Sequence, residues 1–234
     1  MEKQACENPE IADLHKRLSK DLGLPLTPTL SPKGEGNKDK KQLLIGLTGG
    51  IASGKSTITG YLKRKKIPVI DADLLAHAVI KKGKEAYRKT LAVFGEGILQ
   101  KNGEIDRKKL GGMIFGDPAK KRILEAITHP EIFKSLQGEI QKKRKSKMVV
   151  IDAALLFESG LNREMAKNIV VTINPTVQLK RLMKRDKMGE TEAWQRILSQ
   201  LSSLEKARQA DFVIDNSGTL KETYRQVEKI IENF

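Results

Sequence analysis

The segment from Leu43 to Thr57 reads Leu-Leu-Ile-Gly-Leu-Thr-Gly-Gly-Ile-Ala-Ser-Gly-Lys-Ser-Thr. Its first five residues form an apolar run that is typical of a buried strand. Gly49 to Ser56 then matches the pattern G-x-x-x-x-G-K-[ST], and a helix-compatible segment follows from Thr57 to Lys65. A strand, a glycine-rich loop and a helix in this order predict a phosphate-binding loop.

The chemistry of such a loop explains the residue types that the pattern requires. Glycines let the backbone curl so that several amide N–H groups point inward, and the helix N-terminus adds a potential that favours an anion. We expect Lys55 to contact the β- and γ-phosphates, to be solvent-accessible in the empty loop and to pair only with phosphates. The alternative is a glycine-rich turn without a ligand, which would match the pattern by chance in roughly one chain per hundred. The residues predicted to contact the nucleotide are Gly49, Gly50, Ala52, Ser53, Gly54, Lys55, Ser56 and Thr57.

Beyond the loop, short apolar runs alternate with helical stretches, which predicts an α/β fold with a five-stranded parallel sheet. The stretch from about 74 to 145 has helical periodicity, interrupted near Gly95, Gly103 and Gly116, and no convincing strand. It is too long for a single crossover, so we expect a helical subdomain inserted between strands two and three. The predicted strands are Leu43–Leu47, Pro68–Ile70, Met148–Ile151, Ile169–Ile173 and Phe212–Ile214.

The first forty residues differ in composition from the rest of the chain. They hold four of the eight prolines and a polar run without a period that would bury a face. We predict that residues 1–40 form a flexible extension containing one short amphipathic helix around Ile11 to Leu22, and that residues 41–234 form the folded domain.

Charge and hydropathy limit the classes of partner. Lysine and arginine outnumber aspartate and glutamate by 44 to 29, a net charge of +15, which favours nucleic acid, phosphates or acidic lipid. Only 4% of residues are aromatic and no basic stretch is interleaved with stacking residues, so we expect no nucleic-acid partner. No apolar run approaches the roughly 18 residues of a membrane span. With no secretory pattern at the start and a single cysteine, Cys6, the sequence predicts a cytoplasmic protein without a membrane partner.

Acidic residues follow two of the predicted strands. Asp71 and Asp73 end strand two and Asp152 ends strand three, where the carboxyl ends of parallel strands line the ligand crevice. We expect Asp152 to hold magnesium, against the alternative of a solvated loop acid. For Asp73, a catalytic role competes with N-capping of the following helix.

Two arginines are candidates for contacts with transferring phosphates. Arg181 and Arg185 lie four residues apart on a predicted helix, hence on one face, and precede a loop-like stretch at Asp186–Thr191. The alternative is a solvated helix face shared with Lys180 and Lys184.

Together these segments resemble the dephospho-coenzyme A kinase family in order and spacing from about Leu43 to Ile231. Of these segments, only the phosphate-binding loop is a specific motif by itself. The resemblance rests on the occurrence of all the segments in this order and at this spacing. The matching segments are Leu47 to Thr57, Ile70 to Asp73, Gly103 to Arg107, Thr128 to Pro130, Leu155 to Glu158, Gln178 with Arg181 and Arg185, and Ala210 to Asn216.

The resemblance implies transfer of the γ-phosphoryl group of ATP to the ribose 3′-hydroxyl of dephospho-coenzyme A, with Mg²⁺, in a phosphate-loop kinase fold. A nucleoside or nucleotide kinase of similar fold is the alternative, and the oligomeric state stays open. The resemblance also implies a substrate subdomain at about 74–145 and a lid at about 181–205. The catalytic residues are then Asp73, Lys55, Arg181 and Arg185, the magnesium residues are Ser56, Asp71 and Asp152, and Asn216 neighbours the adenine unless it caps the final helix.

Three positions depart from the family pattern. Ala52 stands where glycine is usual, which is tolerable if this loop residue has a negative φ. His77 stands where arginine is frequent and removes a permanent positive charge. Ala153-Ala154 stands where Ala-Pro is common, which should make that loop less rigid.

Overall fold

A computed structural model describes residues 42–234, so the predicted extension and its short helix lie outside the described residues. Five parallel strands form one sheet in the order β2-β3-β1-β4-β5. The predicted five-stranded parallel sheet is therefore confirmed. Its strands are β1 (Leu43–Gly49), β2 (Val69–Asp71), β3 (Met148–Asp152), β4 (Lys167–Thr172) and β5 (Phe212–Asp215).

The strand boundaries differ from the predicted ones because ladder pairing continues through polar residues. β1 runs on to Gly49, which pairs with Val171 of β4, and β4 begins already at Lys167, which pairs with Ile45. Pro68 precedes β2 and takes part only through its carbonyl oxygen, which accepts a hydrogen bond from the backbone N–H of Val150 (2.9 Å). Apolarity alone therefore underestimates strands that begin or end with glycine or polar residues.

Nine α-helices and two 3-10 segments accompany the sheet in the described part of the chain. None of these helices is long and apolar enough to cross a lipid bilayer. The α-helices are α1 (Lys55–Arg64), α2 (Ala72–Val79), α3 (Glu85–Phe94), α4 (Arg107–Ile114), α5 (Pro118–Lys142), α6 (Pro175–Asp186), α7 (Glu190–Leu198), α8 (Ser203–Arg208) and α9 (Leu220–Ile231), and the 3-10 segments are Glu96–Ile98 and Leu161–Glu164.

Contacts divide the described residues into two compact units, one of residues 76–135 and one of residues 42–75 with 136–234. The second unit holds the sheet. Ile58 and Leu62 of α1 and Val227 and Ile230 of α9 pack in one cluster with buried sheet residues such as Ile45. Their spacings of four and three put each pair on one helix face, so each helix presents an apolar stripe to the sheet.

The unit of residues 76–135 has its own core, built around Tyr87, Phe94 and Leu110. As predicted, it contains helices and no strand; an isolated bridge between Leu99 and Ile105 is its only β pairing among the described residues.

His129 lies half-buried on α5 in this helical unit. Burial lowers the pKa of its imidazole below the ordinary value, and the nearby Glu125 carboxylate opposes that shift. The unfolded chain therefore binds a proton at His129 at a higher pH than the folded chain does. Stability from this group is present above the ordinary histidine pKa and is lost as pH falls through the lowered folded-state value.

We expect His129→Gln to reduce the acid-induced loss of stability, because the glutamine has no proton to bind. The measurement is the thermal midpoint at about pH 7.5 and about pH 5.5, the range in which histidine titrates. The wild-type chain, measured at the same two pH values, gives the reference difference. An unchanged pH difference in His129→Gln would contradict the role of burial.

Candidate active site

The loop between β1 and α1 is shaped by close backbone contacts. The backbone N–H of Ser53 donates to the carbonyl oxygen of Gly50 (3.0 Å) and closes the turn. Gly54 has φ +89°, and a Cβ there would clash with Nδ2 of Asn216. That amide donates to the carbonyl oxygen of Ser53 (2.7 Å). Glycine is therefore required at position 54 both by φ and by the approach of Asn216.

Two glutamines hold the middle of the loop. Nε2 of Gln178, buried on α6, donates to the carbonyl oxygen of Ile51 (2.7 Å). The backbone N–H of Ile51 donates in turn to Oε1 of Gln200 (3.1 Å). Gln178 entered the sequence analysis only through the family resemblance, and Gln200 was missed. One signal could have pointed to Gln178 from the sequence: it is a polar residue beside Leu179 and Leu182, the apolar positions that α6 buries.

Ala52 adopts φ +57°, so the condition under which alanine would be tolerated here, a negative φ, is not met. The left-handed region costs a non-glycine residue roughly 1–2 kcal/mol, because Cβ approaches the following carbonyl oxygen. The side chain of Ala52 is partly buried against Leu179, Leu182 and Ala193 of α6 and α7. This packing offsets part of the cost that glycine would avoid.

Lys55, the first residue of α1, contacts two carboxylates. Its Nζ forms an ion pair and hydrogen bond with Oδ1 of Asp152 and lies 3.9 Å from Oδ2 of Asp73. Its side chain is only 18% exposed. The expectation that Lys55 is accessible and pairs only with phosphates is therefore wrong, because the carboxylates at the strand ends act as its counterions.

Asp152 ends β3 and is buried, so the alternative of a solvated loop acid is wrong for it. Burial raises the pKa of its carboxyl, the Lys55 ammonium opposes this, and repulsion from Asp71 and Asp73 adds to it. The structure thus brings three acidic side chains within electrostatic range of one another and of one lysine.

Asp71 and Asp73 have different surroundings. Oδ1 of Asp71 accepts from the backbone N–H of Leu74 (2.9 Å), which caps α2. Asp73 lies in the first turn of α2, and its Oδ2 accepts from the backbone N–H of Ala154 (3.1 Å). The capping role that competed for Asp73 therefore belongs to Asp71.

The residues predicted for magnesium supply only oxygen donors, namely the hydroxyl of Ser56 and the carboxylates of Asp71 and Asp152. Across residues 42–234, no group of three or more His, Cys, Asp or Glu side chains is arranged to hold a metal ion. Magnesium usually binds through one or two carboxylates together with substrate phosphates. The donor set therefore fits a cation that arrives with a nucleotide and does not form an all-protein cage.

The two arginines of α6 differ in their contacts. Nη1 of Arg181 lies 3.8 Å from the position that a Cβ on Gly54 would occupy, so this side chain reaches the loop. Arg185 instead donates from Nε and Nη2 to the two carboxylate oxygens of Asp186 (2.7 and 3.0 Å), and these hydrogen bonds raise the pKa of its guanidinium. Oδ2 of Asp186 also pairs with Nη1 of Arg196 on α7 (3.4 Å).

The loop expected at Asp186–Thr191 is shorter than predicted. α6 continues through Asp186 and α7 begins at Glu190, which leaves residues 187–189 as the connection.

Asn216 is buried after β5 and has partners on both sides of its amide. Besides the bond to Ser53, its Oδ1 accepts from Oγ1 of Thr223 on α9 (2.8 Å). α9 is capped by Thr219, so the capping alternative for Asn216 is wrong. In the structure this residue links the loop to α9, and its proximity to an adenine stays a prediction.

A buried lysine was missed by the sequence analysis. Lys206 on α8 is 0% exposed, and its Nζ lies 2.9 Å from both the carbonyl oxygen of Ala154 and Oε1 of Glu158. In a chain with 44 basic residues, a lysine on a short helix reads as a surface residue. Only tertiary structure reveals its burial.

A family model and curated relatives that match this chain all carry the name dephospho-CoA kinase. The dephospho-CoA kinase family model matches residues 43–222. The chain is 47% identical over 194 residues to a dephospho-CoA kinase of Geobacillus kaustophilus, covering 82% of this chain and 96% of the relative. It is 48% identical over 187 residues to a dephospho-CoA kinase domain-containing protein of Danio rerio, covering 79% and 82%.

Two solved structures are also similar. A crystal structure of a Thermus thermophilus protein aligns with a TM-score of 0.75 at 29% identity, covering 83% of this chain and 99% of that one. A dephospho-CoA kinase from Campylobacter jejuni aligns with a TM-score of 0.60 at 32% identity, covering 82% and 96%.

We expect Ala52→Gly to raise the free energy of unfolding by up to about 1 kcal/mol, since relief of the left-handed φ outweighs the extra chain entropy of glycine. The measurement is denaturant unfolding. Lys187→Gly is the matched control, because Lys187 has φ +53° at the exposed end of α6 and should also be stabilised. Stabilisation of Lys187→Gly with a clear loss in Ala52→Gly would mean that packing of the Ala52 methyl dominates.

Proposed function

The chain belongs to the dephospho-CoA kinase family, and on this basis we propose that it transfers the γ-phosphoryl group of ATP to the ribose 3′-hydroxyl of dephospho-CoA. The observation that supports this is the convergence of Lys55, Asp73 and Asp152 beside the glycine-rich loop. A phosphate-binding loop accounts for a nucleotide alone, whereas a carboxylate beside its lysine also provides for an acceptor hydroxyl.

In this proposal Lys55 exchanges partners when ATP binds. Its Nζ lies between the carboxylates of Asp152 and Asp73 in the structure. A nucleotide phosphate replaces one anionic partner by another, so the lysine stays paired throughout. The loop amides and the N-terminus of α1 bind the phosphates, as their orientation favours an anion.

Asp73 is the proposed proton acceptor. A ribose hydroxyl is a weak nucleophile at neutral pH, and a carboxylate within hydrogen-bond reach helps to remove its proton. The side chain of Asp73 is 42% exposed, in contrast to the buried Asp152, so it is accessible to an incoming acceptor.

Ser56, Asp71 and Asp152 would hold magnesium together with the phosphates, because they offer the oxygen ligands that this cation prefers. Bound magnesium supplies positive charge that neutralises the phosphate oxygens. The adenine contact of Asn216, the substrate role of residues 74–145, the lid at 181–205 and the cytoplasmic location remain our predictions.

The proposal is tested with the purified full chain, ATP and a panel of acceptors. We expect dephospho-CoA to be phosphorylated with a kcat/KM at least about 10²-fold above that for adenosine or AMP, and its product to gain one phosphoryl group by mass. Preference for a nucleoside or nucleotide would contradict the proposed acceptor.

Asp73→Asn should lower kcat by about 10²- to 10⁴-fold while ATP still binds, because the variant keeps the shape and loses the proton acceptor. Steady-state kinetics and nucleotide titration provide the two measurements. Asp71→Asn serves as comparator, since asparagine also caps a helix, and its loss should be smaller. Normal turnover in Asp73→Asn with a severe loss in Asp71→Asn would exchange the two roles.

Arg181→Ala should reduce kcat by about 10²-fold or more and change ATP affinity little, if its guanidinium stabilises charge in the transition state. Arg185→Ala should have a smaller effect, because its guanidinium is engaged by Asp186. Lys184→Ala on the same helix controls for loss of an exposed basic side chain. Equal losses in ATP affinity and rate for Arg181→Ala would contradict its assignment.

A further inference from the structure

Lys206 is a buried charge that the proposed chemistry does not use. Its side chain has no solvent exposure, and its ammonium bonds to Glu158 and to the carbonyl oxygen of Ala154. A buried ion pair is weak evidence for stability, since desolvation of both ions offsets their attraction. The contacts of Lys206 are therefore of interest for the positions that they fix.

The group that Lys206 fixes is Ala154, in the turn after β3. The carbonyl oxygen of Ala154 also accepts from Oγ1 of Thr48 (3.1 Å). The preceding residue, Ala153, donates its N–H to the carbonyl oxygen of Leu47 (3.0 Å). Ala154 is thereby held from both β1 and α8.

The N–H of the same residue donates to Oδ2 of Asp73. Lys55 also approaches Asp73 at Oδ2. The backbone N–H of Ala154 and the ammonium of Lys55 therefore both approach the same oxygen of the Asp73 carboxylate.

Glu158 connects Lys206 to the segment that precedes α8. Its Oε1 accepts from the backbone N–H of Leu201 (3.3 Å) as well as from Lys206. The neighbouring Gln200 contacts Ile51 of the phosphate loop. The end of the proposed lid segment is therefore tied both to the loop and to the turn that contacts Asp73.

We propose that Lys206, Glu158 and the N–H of Ala154 act as a positioning relay for Asp73. Lys206 holds Ala154, and Ala154 orients the carboxylate through Oδ2. This inference rests on the proposed function, in which Asp73 accepts the proton of the acceptor hydroxyl.

Position 154, whose N–H donates to Asp73, is one of the positions at which this chain departs from the common family pattern. Where the family pattern has proline, no N–H is present, so a proline there cannot donate to the carboxylate. Alanine at 154 was expected only to loosen the turn; in the structure it also adds a hydrogen-bond donor to Asp73.

The first test compares Ala154→Pro, which removes the donor, with Ala154→Ser, which retains it. We expect kcat of Ala154→Pro to fall about tenfold or more, as for loss of a hydrogen bond to a charged group, with the KM for ATP unchanged. Ala154→Ser should stay near wild type. Equal kcat in both variants would overturn the relay.

A second test changes Lys206, at the other end of the relay, and substitutes no residue of the turn itself. Lys206→Met should also lower kcat at constant KM for ATP, and Lys206→Arg should recover part of the rate, because arginine restores a donor to Ala154. A wild-type kcat in Lys206→Met would overturn the relay even if Ala154→Pro failed to fold.

A double-mutant cycle separates this inference from the proposed function. Asp73→Asn with Ala154→Pro should be no slower than Asp73→Asn alone, because orienting a carboxylate has no value once it is gone. If the losses in kcat of the two single variants multiply in the double variant, the relay is overturned. The role of Asp73 as proton acceptor is not affected by that result. Normal turnover of Asp73→Asn alone would instead refute the proposed proton acceptor.

Discussion

The parallel pairing of β1 with both β3 and β4 is the constraint on which the site depends. Because all strands run in the same direction, the glycine-rich loop after β1 and the acid at the end of β3 emerge at one edge of the sheet. Leu47 pairs with Asp152 in this register, so Asp152 is set beside the start of the loop. A slip of one residue would turn the Asp152 side chain to the opposite face of the sheet.

Concentrating carboxylates at this edge has an energetic cost. Asp152 is buried beside two other acids, and the rise in its pKa shows that its charged form is disfavoured there despite Lys55. Proteins commonly accept such local instability at functional sites. Here the helices and the buried sheet residues provide the stability that permits it.

Much of this organisation could be predicted from sequence. The motif Gly49 to Ser56 and the apolar runs before it specify the strand, loop and helix, because each has a local physical signature. The pairing of Lys55 with Asp152 and the burial of Lys206 have no such signature. They arise from contacts between segments distant in the chain, which residue type and spacing do not encode.

The N-cap residues of α2 and α9 also could not be identified from residue type alone. Asp71 and Asp73 are equally good caps by type, and only the point at which β2 passes into α2 selects Asp71. Similarly, Asn216 is a plausible cap by position, yet Thr219 forms the capping box and Asn216 is turned inward to the loop.

The shared carboxylate of Asp186 has a consequence for the behaviour of α6 and α7 in different buffers. It bridges Arg185 and Arg196 at the surface, where both arginines are about half exposed. Exposed ion pairs are screened by dissolved salt, with a Debye length of about 10 Å at 0.1 M ionic strength. Rising ionic strength therefore weakens the attachment of Arg185 to Asp186 and loosens an electrostatic link between the two helices, whereas the buried pair of Lys206 and Glu158 is much less affected.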